Sequence, residues 1–129
     1  MLGEADDESK ILICDMEAGV GPVVRGGKTD MVLVVAEPSV KSIDVARRAA
    51  AAAAPAEVIV VANRVRDEAD VDAIRAELGE YELVAVPEDR AIARADEEGR
   101  APIDVDPDAP GVTVLIGLAE RLGRQPARV

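Results

Sequence analysis

Met31-Val32-Leu33-Val34-Val35-Ala36 is six apolar residues in succession, with no polar residue alternating among them. A strand with one wet face alternates apolar and polar side chains. An unbroken apolar run between turn residues therefore predicts a strand covered on both faces, the habit of parallel sheets. Downstream, Glu37-Pro38-Ser39 breaks the run, and Ser39 or Ser42 caps a predicted helix that continues to about Ala54 and is stopped by Pro55. A second buried strand is expected at residues 57–62, ending at Asn63-Arg64. Residues 67–78 read as a helix with Val71, Ile74 and Leu78 on one face and Gly79 as its stop. Residues 81–86 read as a strand ending at Pro87-Glu88-Asp89. Residues 90–98 form a short helix closed by Gly99, 104–110 an acidic loop, and 112–122 a last amphipathic helix.

Upstream, residues 10–15 carry Ile11-Leu12-Ile13-Cys14 and read as another buried strand, delivering Asp15 into Met16-Glu17-Ala18-Gly19. Residues 16–30 hold five glycines or prolines (Gly19, Gly21, Pro22, Gly26 and Gly27) and read as a loop. Residues 1–9 are polar and acidic and read as a flexible lead-in, leaving 10–129 as one domain. Strands alternating with helices predict an α/β fold with a doubly wound, mainly parallel sheet. In such sheets ligands gather at the carboxyl ends of the strands. Asp15, Glu37-Pro38-Ser39, Asn63-Arg64 and Pro87-Glu88-Asp89 all fall there.

Composition narrows the function. Apolar residues make up 49% of the chain and aromatics 1%, with Tyr81 the single aromatic residue, so the core must be aliphatic. A chain without stacking rings and with a net charge of −11 is a poor partner for nucleic acid. The single Cys14 excludes an internal disulfide and a paired-cysteine metal site, and reads as a small buried residue. The sequence has no signal peptide and no apolar run long enough to span a bilayer, which predicts a cytoplasmic protein.

Taken together, the strand-end motifs resemble the MinD/ParA group of P-loop ATPases, closest to the CooC-like branch of carbon monoxide dehydrogenase maturation ATPases. Asp15-Met16-Glu17-Ala18-Gly19 is similar to that branch's acidic switch motif. Val34-Val35-Ala36-Glu37-Pro38-Ser39 is similar to its strand and helix entry, and Val61-Ala62-Asn63-Arg64-Val65 to its asparagine-basic motif. Val86-Pro87-Glu88-Asp89, followed by Ala95, Gly99 and Pro102, is similar to its closing segment. The resemblance spans roughly residues 10–123 and implies a P-loop NTPase-like sheet that binds ATP and Mg²⁺. It implies Asp15 on the metal side and Gly19 close to the phosphate. Asn63 and Arg64 would stand at the adenine edge, with Pro87 and Glu88 flanking the base. Each has an ordinary structural reading as well. Asp15 reads equally as a turn-capping acid, Asn63 as a turn residue, Arg64 as a partner of nearby acids, and Glu37 with Ser39 as a strand-to-helix corner.

The glycine-rich phosphate loop of that family is not found before Asp15. Arg25-Gly26-Gly27-Lys28-Thr29 does not qualify, because a phosphate loop follows a strand and opens a helix, whereas here the strand at 31–36 follows. The sheet is therefore expected to be incomplete on its N-terminal side, and the isolated chain marginal unless completed by another copy or by a separate loop-bearing chain. No catalytic residue is assigned, and without the loop lysine no appreciable hydrolysis is expected from the chain alone. The alternative reading is a non-catalytic interaction module that keeps the fold without nucleotide. A phospho-receiver fits poorly, since no helix separates the first two expected strands and no lysine ends a strand.

Acidic residues number 26 against 15 basic, and only Lys10, Lys28 and Lys41 are lysines. Such self-repulsion is tolerable where salt screens it, so the composition fits a salt-loaded cytoplasm. The midpoint of thermal unfolding should rise from low to molar salt, and no gain across that range would reject this reading.

Overall fold

Residues 57–65 are the spine of the molecule. In the computed structural model, which describes residues 10–16 and 29–124, strand β2 (Glu57–Val65) lies between β1 (Met31–Ala36) and β3 (Glu82–Pro87), all parallel, in the order β1-β2-β3. Helix α1 (Val40–Ala52) connects β1 to β2 and α2 (Glu68–Leu78) connects β2 to β3. After β3 come α3 (Arg90–Glu98), the short α4 (Pro102–Val105) and α5 (Pro110–Gly123). The expected α/β class with a parallel sheet is what forms.

Strand periodicity divides the core in two. Val34, Ala36, Val60, Ala62 and Val65 point to one face and pack with Ile43, Ala46 and Ala50 of α1 and Val71, Ile74 and Leu78 of α2. Ile59, Val61 and Val86 point to the other face and meet Leu118 of α5, with Met31, Val84, Val114 and Leu122 around them. Ile59, Ile74, Leu78, Val60 and Val86 are the largest fully buried side chains, so the core is aliphatic throughout.

Polar side chains fix the corners. Ser39 caps α1 by accepting from the Ser42 N–H at 3.2 Å, while the Ser42 hydroxyl accepts from the Glu37 N–H at 2.9 Å. Asp67 caps α2, accepting from the Asp70 N–H at 3.0 Å. Asp70 is buried at the start of α2 and accepts three times from Arg66: from its backbone N–H (2.9 Å), its Nε (3.0 Å) and its Nη2 (3.3 Å). Asp89 serves two helices at once. Its Oδ1 accepts from the Ala91 N–H in α3 at 2.9 Å, and its Oδ2 from the Gly111 N–H in α5 at 2.8 Å. Gly111 makes this approach easy, since a Cβ there would stand 2.8 Å from Ile92 Cδ1 and 3.2 Å from Asp89 Cβ, so that Ile92 would have to turn aside.

Three expectations are corrected. Residues 10–16 form no strand and are exposed: Ile11 is 65% accessible and Ile13 84%. A short apolar run specifies a strand only when a neighbour takes up its backbone N–H and C=O groups, and β1 does not pair with it. Cys14 is accordingly exposed, not a core residue. In the acidic region, Pro102 at the first helical position lets 102–105 close one helical turn, and the last helix starts at Pro110 rather than 112. Smaller shifts carry β2 through Asn63-Arg64 to Val65 and end α1 at Ala52.

Arg66 holds the Asp70 carboxyl below its ordinary range, first by its side-chain hydrogen bonds and then by its backbone N–H. The stabilisation is complete above the carboxylate's ordinary pKa in the unfolded chain and is lost as the pH falls through the lower folded-state value. Asp70→Asn should lower the thermal midpoint at neutral pH and shrink the gap to wild type on acidification. Parallel midpoint-against-pH curves for the two proteins would refute this role.

Candidate functional site

The carboxyl ends of the three strands form the rim on which the expected site residues fall. β1 runs into Glu37 and β3 into Glu88, while β2 contributes Asn63 and Arg64 just before its end. The ladder between β2 and β3 pairs Asn63 with Val86 and then skips to Val65 with Pro87, so Arg64 is the extra residue of a bulge. Its φ of 59° is the sole positive value for a non-glycine residue among the described residues. This backbone lifts the Arg64 side chain over the rim. Nη1 lies 3.5 Å from Glu37 Oε1 and Nη2 3.5 Å from Glu88 Oε1, so one guanidinium bridges the ends of the outer two strands.

Around this bridge lies an open depression of about 240 Å³ lined by Glu37, Pro38, Ser39, Arg64, Arg66 and Glu88. Two guanidiniums face two carboxylates, and Arg66 is already neutralised by Asp70. Arg64 then offsets one of the two carboxylates, Glu37 and Glu88, and the lining keeps a single net negative charge. Such a lining offers donors and acceptors to a neutral, hydrogen-bonding group and does not favour a polyphosphate.

Of the residues singled out from sequence, the structure brings Arg64 and Glu88 together and adds Glu37. Asn63 is half-buried and does not line the depression; strand alternation turns it toward the α5 side with Ile59 and Val61. Pro87 ends β3 opposite Val65 and does not line the depression either. Asp15 is exposed and outside it. Its segment starts with Ile11 Cδ1 about 4.0 Å from where a Cβ on Gly123 would stand, at the end of α5 away from Asp89. Gly19 and residues 25–28 lie outside the described residues. Among the described residues no group of three or more His, Cys, Asp or Glu side chains is arranged to hold a metal ion, and no helix is long and apolar enough to cross a membrane.

Sequence reading missed the bulge. A run of Val-Ala-Asn-Arg-Val carries no glycine to announce a left-handed residue, although Asn-Arg after a buried strand signals the turn that adjoins it. Compared with known proteins, the chain matches no family model and no curated sequence.

The left-handed backbone at Arg64 costs about 1–2 kcal/mol for an L-residue, whereas exposed ion pairs such as these, with the Arg64 side chain 63% accessible, return about 0–1 kcal/mol. Arg64→Gly should therefore fold with stability equal to or above wild type, and Arg64→Ala should fall about 1 kcal/mol below Arg64→Gly. Urea unfolding of the three proteins checks this; an alanine variant as stable as the glycine variant would show that the bulge is unstrained.

Proposed function

We propose that this chain is the C-terminal portion of an ATP-binding domain of the MinD/ParA type, CooC-like branch, whose phosphate loop is supplied from outside these 129 residues. The observation that carries the reading is the convergence of Glu37, Arg64 and Glu88 from three consecutive parallel strands onto one rim. This is where P-loop NTPase-like, doubly wound sheets receive their ligands. The depression is smaller than the ~300–1,000 Å³ of sites that enclose a whole small ligand. It suits one end of a nucleotide, and its carboxylates suit the base and sugar rather than the phosphates. Asn63, one residue before the bulge, carries an amide able to pair with both a donor and an acceptor on adenine, but it faces the α5 side and not the depression, so its part in reading the base rests on the resemblance alone. Asp15 takes the Mg²⁺ side by the resemblance alone, and reaching the phosphates requires residues 10–16 to move from their present position. With no lysine opposite the transferred phosphoryl group, the chain alone binds and does not hydrolyse.

The second reading is a protein-interaction module that keeps the fold without nucleotide. It is favoured by the Arg64 guanidinium being already engaged by both carboxylates.

Calorimetric titration separates the two. On the first reading adenosine and Mg·ATP bind with similar, millimolar affinity, since the triphosphate finds no cradle, and Glu88→Ala, on the rim of the depression, weakens both. No heat from either ligand at millimolar concentration would reject the first reading in favour of the second.

A further inference from the structure

The side chains lining the depression at the strand ends differ in what they offer a ligand. Ionised Glu37 and Glu88 can only accept hydrogen bonds, whereas Arg64 and Arg66 can only donate them. Glu37, Glu88 and Arg66 are held from behind. The Glu37 N–H donates to the Ser42 hydroxyl at 2.9 Å, and the Glu88 N–H to the Val65 carbonyl at 2.9 Å. Arg66 gives Nε and Nη2 to Asp70, at 3.0 and 3.3 Å. Arg64 meets each carboxylate through one nitrogen at 3.5 Å. A guanidinium has about five N–H donors and a carboxylate about four lone-pair sites, so most of this capacity is unspent. The lining also says what it does not suit. A base needs an apolar or aromatic face, and Pro38 is the only apolar residue here. A phosphate meets the net negative charge of the lining.

We propose that the depression takes the 2′- and 3′-hydroxyls of a ribose, which donate to Glu37 and Glu88 and accept from Arg64. A hydroxyl is the neutral group that both donates and accepts through one atom. Two of them on adjacent carbons answer acceptors and a donor set side by side. Their bonds to the carboxylates and the guanidinium are charge-assisted, the stronger kind. A volume of about 240 Å³ suits a sugar ring better than a whole nucleoside. The left-handed backbone at Arg64 (φ 59°) is what sets one guanidinium between both acids. This inference rests on the nucleotide reading for the choice of ribose among vicinal diols, and it assigns the rim to the sugar and not to the base.

Calorimetric titration of the full chain with methyl β-ribofuranoside, which has no base, tests it beside adenosine. Both should give heat. Methyl 2-deoxy-β-ribofuranoside and 2′,3′-dideoxyadenosine should each bind at least about tenfold more weakly than the parent, as expected of a site built to bond a hydroxyl. Glu88→Gln, which removes the charge, and Arg64→Gly, which removes the donor, should each weaken the riboside at least about fivefold. Glu97→Gln, the same change on α3 outside the depression, should leave it unchanged. Adenosine and its dideoxy analogue binding equally well would overturn the proposal and leave the nucleotide reading standing. Heat from the riboside with none from adenosine or Mg·ATP would uphold the hydroxyl site and reject the nucleotide. No heat from the riboside at any soluble concentration, or an equal loss in Glu97→Gln, would overturn the proposal.

Discussion

The rest of the structure follows from Ile59-Val60-Val61-Ala62, four consecutive side chains of the central strand, three of them wholly inaccessible and Val61 nearly so. A strand with no polar side chain on either face must be covered from above and below, because its backbone donors and acceptors are already used in the ladders and its surface has nothing to offer water. The crossover helices α1 and α2 cover one face as a consequence of connecting parallel strands. The other face has no crossover helix, so the chain beyond β3 must return to cover it. α3, α4 and the short turns between them bring α5 back across Ile59, Val61 and Val86. Asp89 secures that return, since one carboxylate satisfies orphan N–H groups at the starts of both α3 and α5.

The same economy shapes the rim. Each strand end is tied down by a short polar side chain: Ser39 and Ser42 after β1, Asp67 and Asp70 after β2, Asp89 after β3. These caps fix where Glu37, Arg66 and Glu88 leave the sheet. Arg64 is the exception, since no cap accounts for its left-handed backbone and its ion pairs are long and solvated. Strain that local packing does not repay is found most often where a side chain faces a ligand. For this reason the rim, rather than the acidic surface of α3 and α4, is the place where function is sought.

Much of this was legible in the residues. The unalternating runs at 31–36 and 57–62 specified parallel strands, but only the second is covered on both faces: β1 buries Val34 and Ala36 and leaves Leu33 and Val35 exposed on its other face, because α5 lies across β2 and β3. Ser39, Gly79 and Gly99 marked helix ends through capping chemistry that operates locally. Ile11-Leu12-Ile13-Cys14 looks identical to those runs by composition, yet forms no strand. Whether such a run becomes a strand depends on an available ladder, which is a property of distant residues. The bulge at Arg64 and the shared use of Asp89 were hidden for the same reason. The bulge depends on the register of β2 against β3, and the shared carboxylate on Gly111, 22 residues away from Asp89.

β1 contributes both to the edge of the sheet and to the rim. β1 ends directly in Glu37, and Glu37 holds one arm of the Arg64 guanidinium while Glu88 holds the other. On the proposed function, the strand that leads a phosphate loop to this rim would lie beside β1, next to the strand end that carries Glu37. Among the described residues β1 has β2 on one side and no strand on the other, which leaves that place in the sheet open.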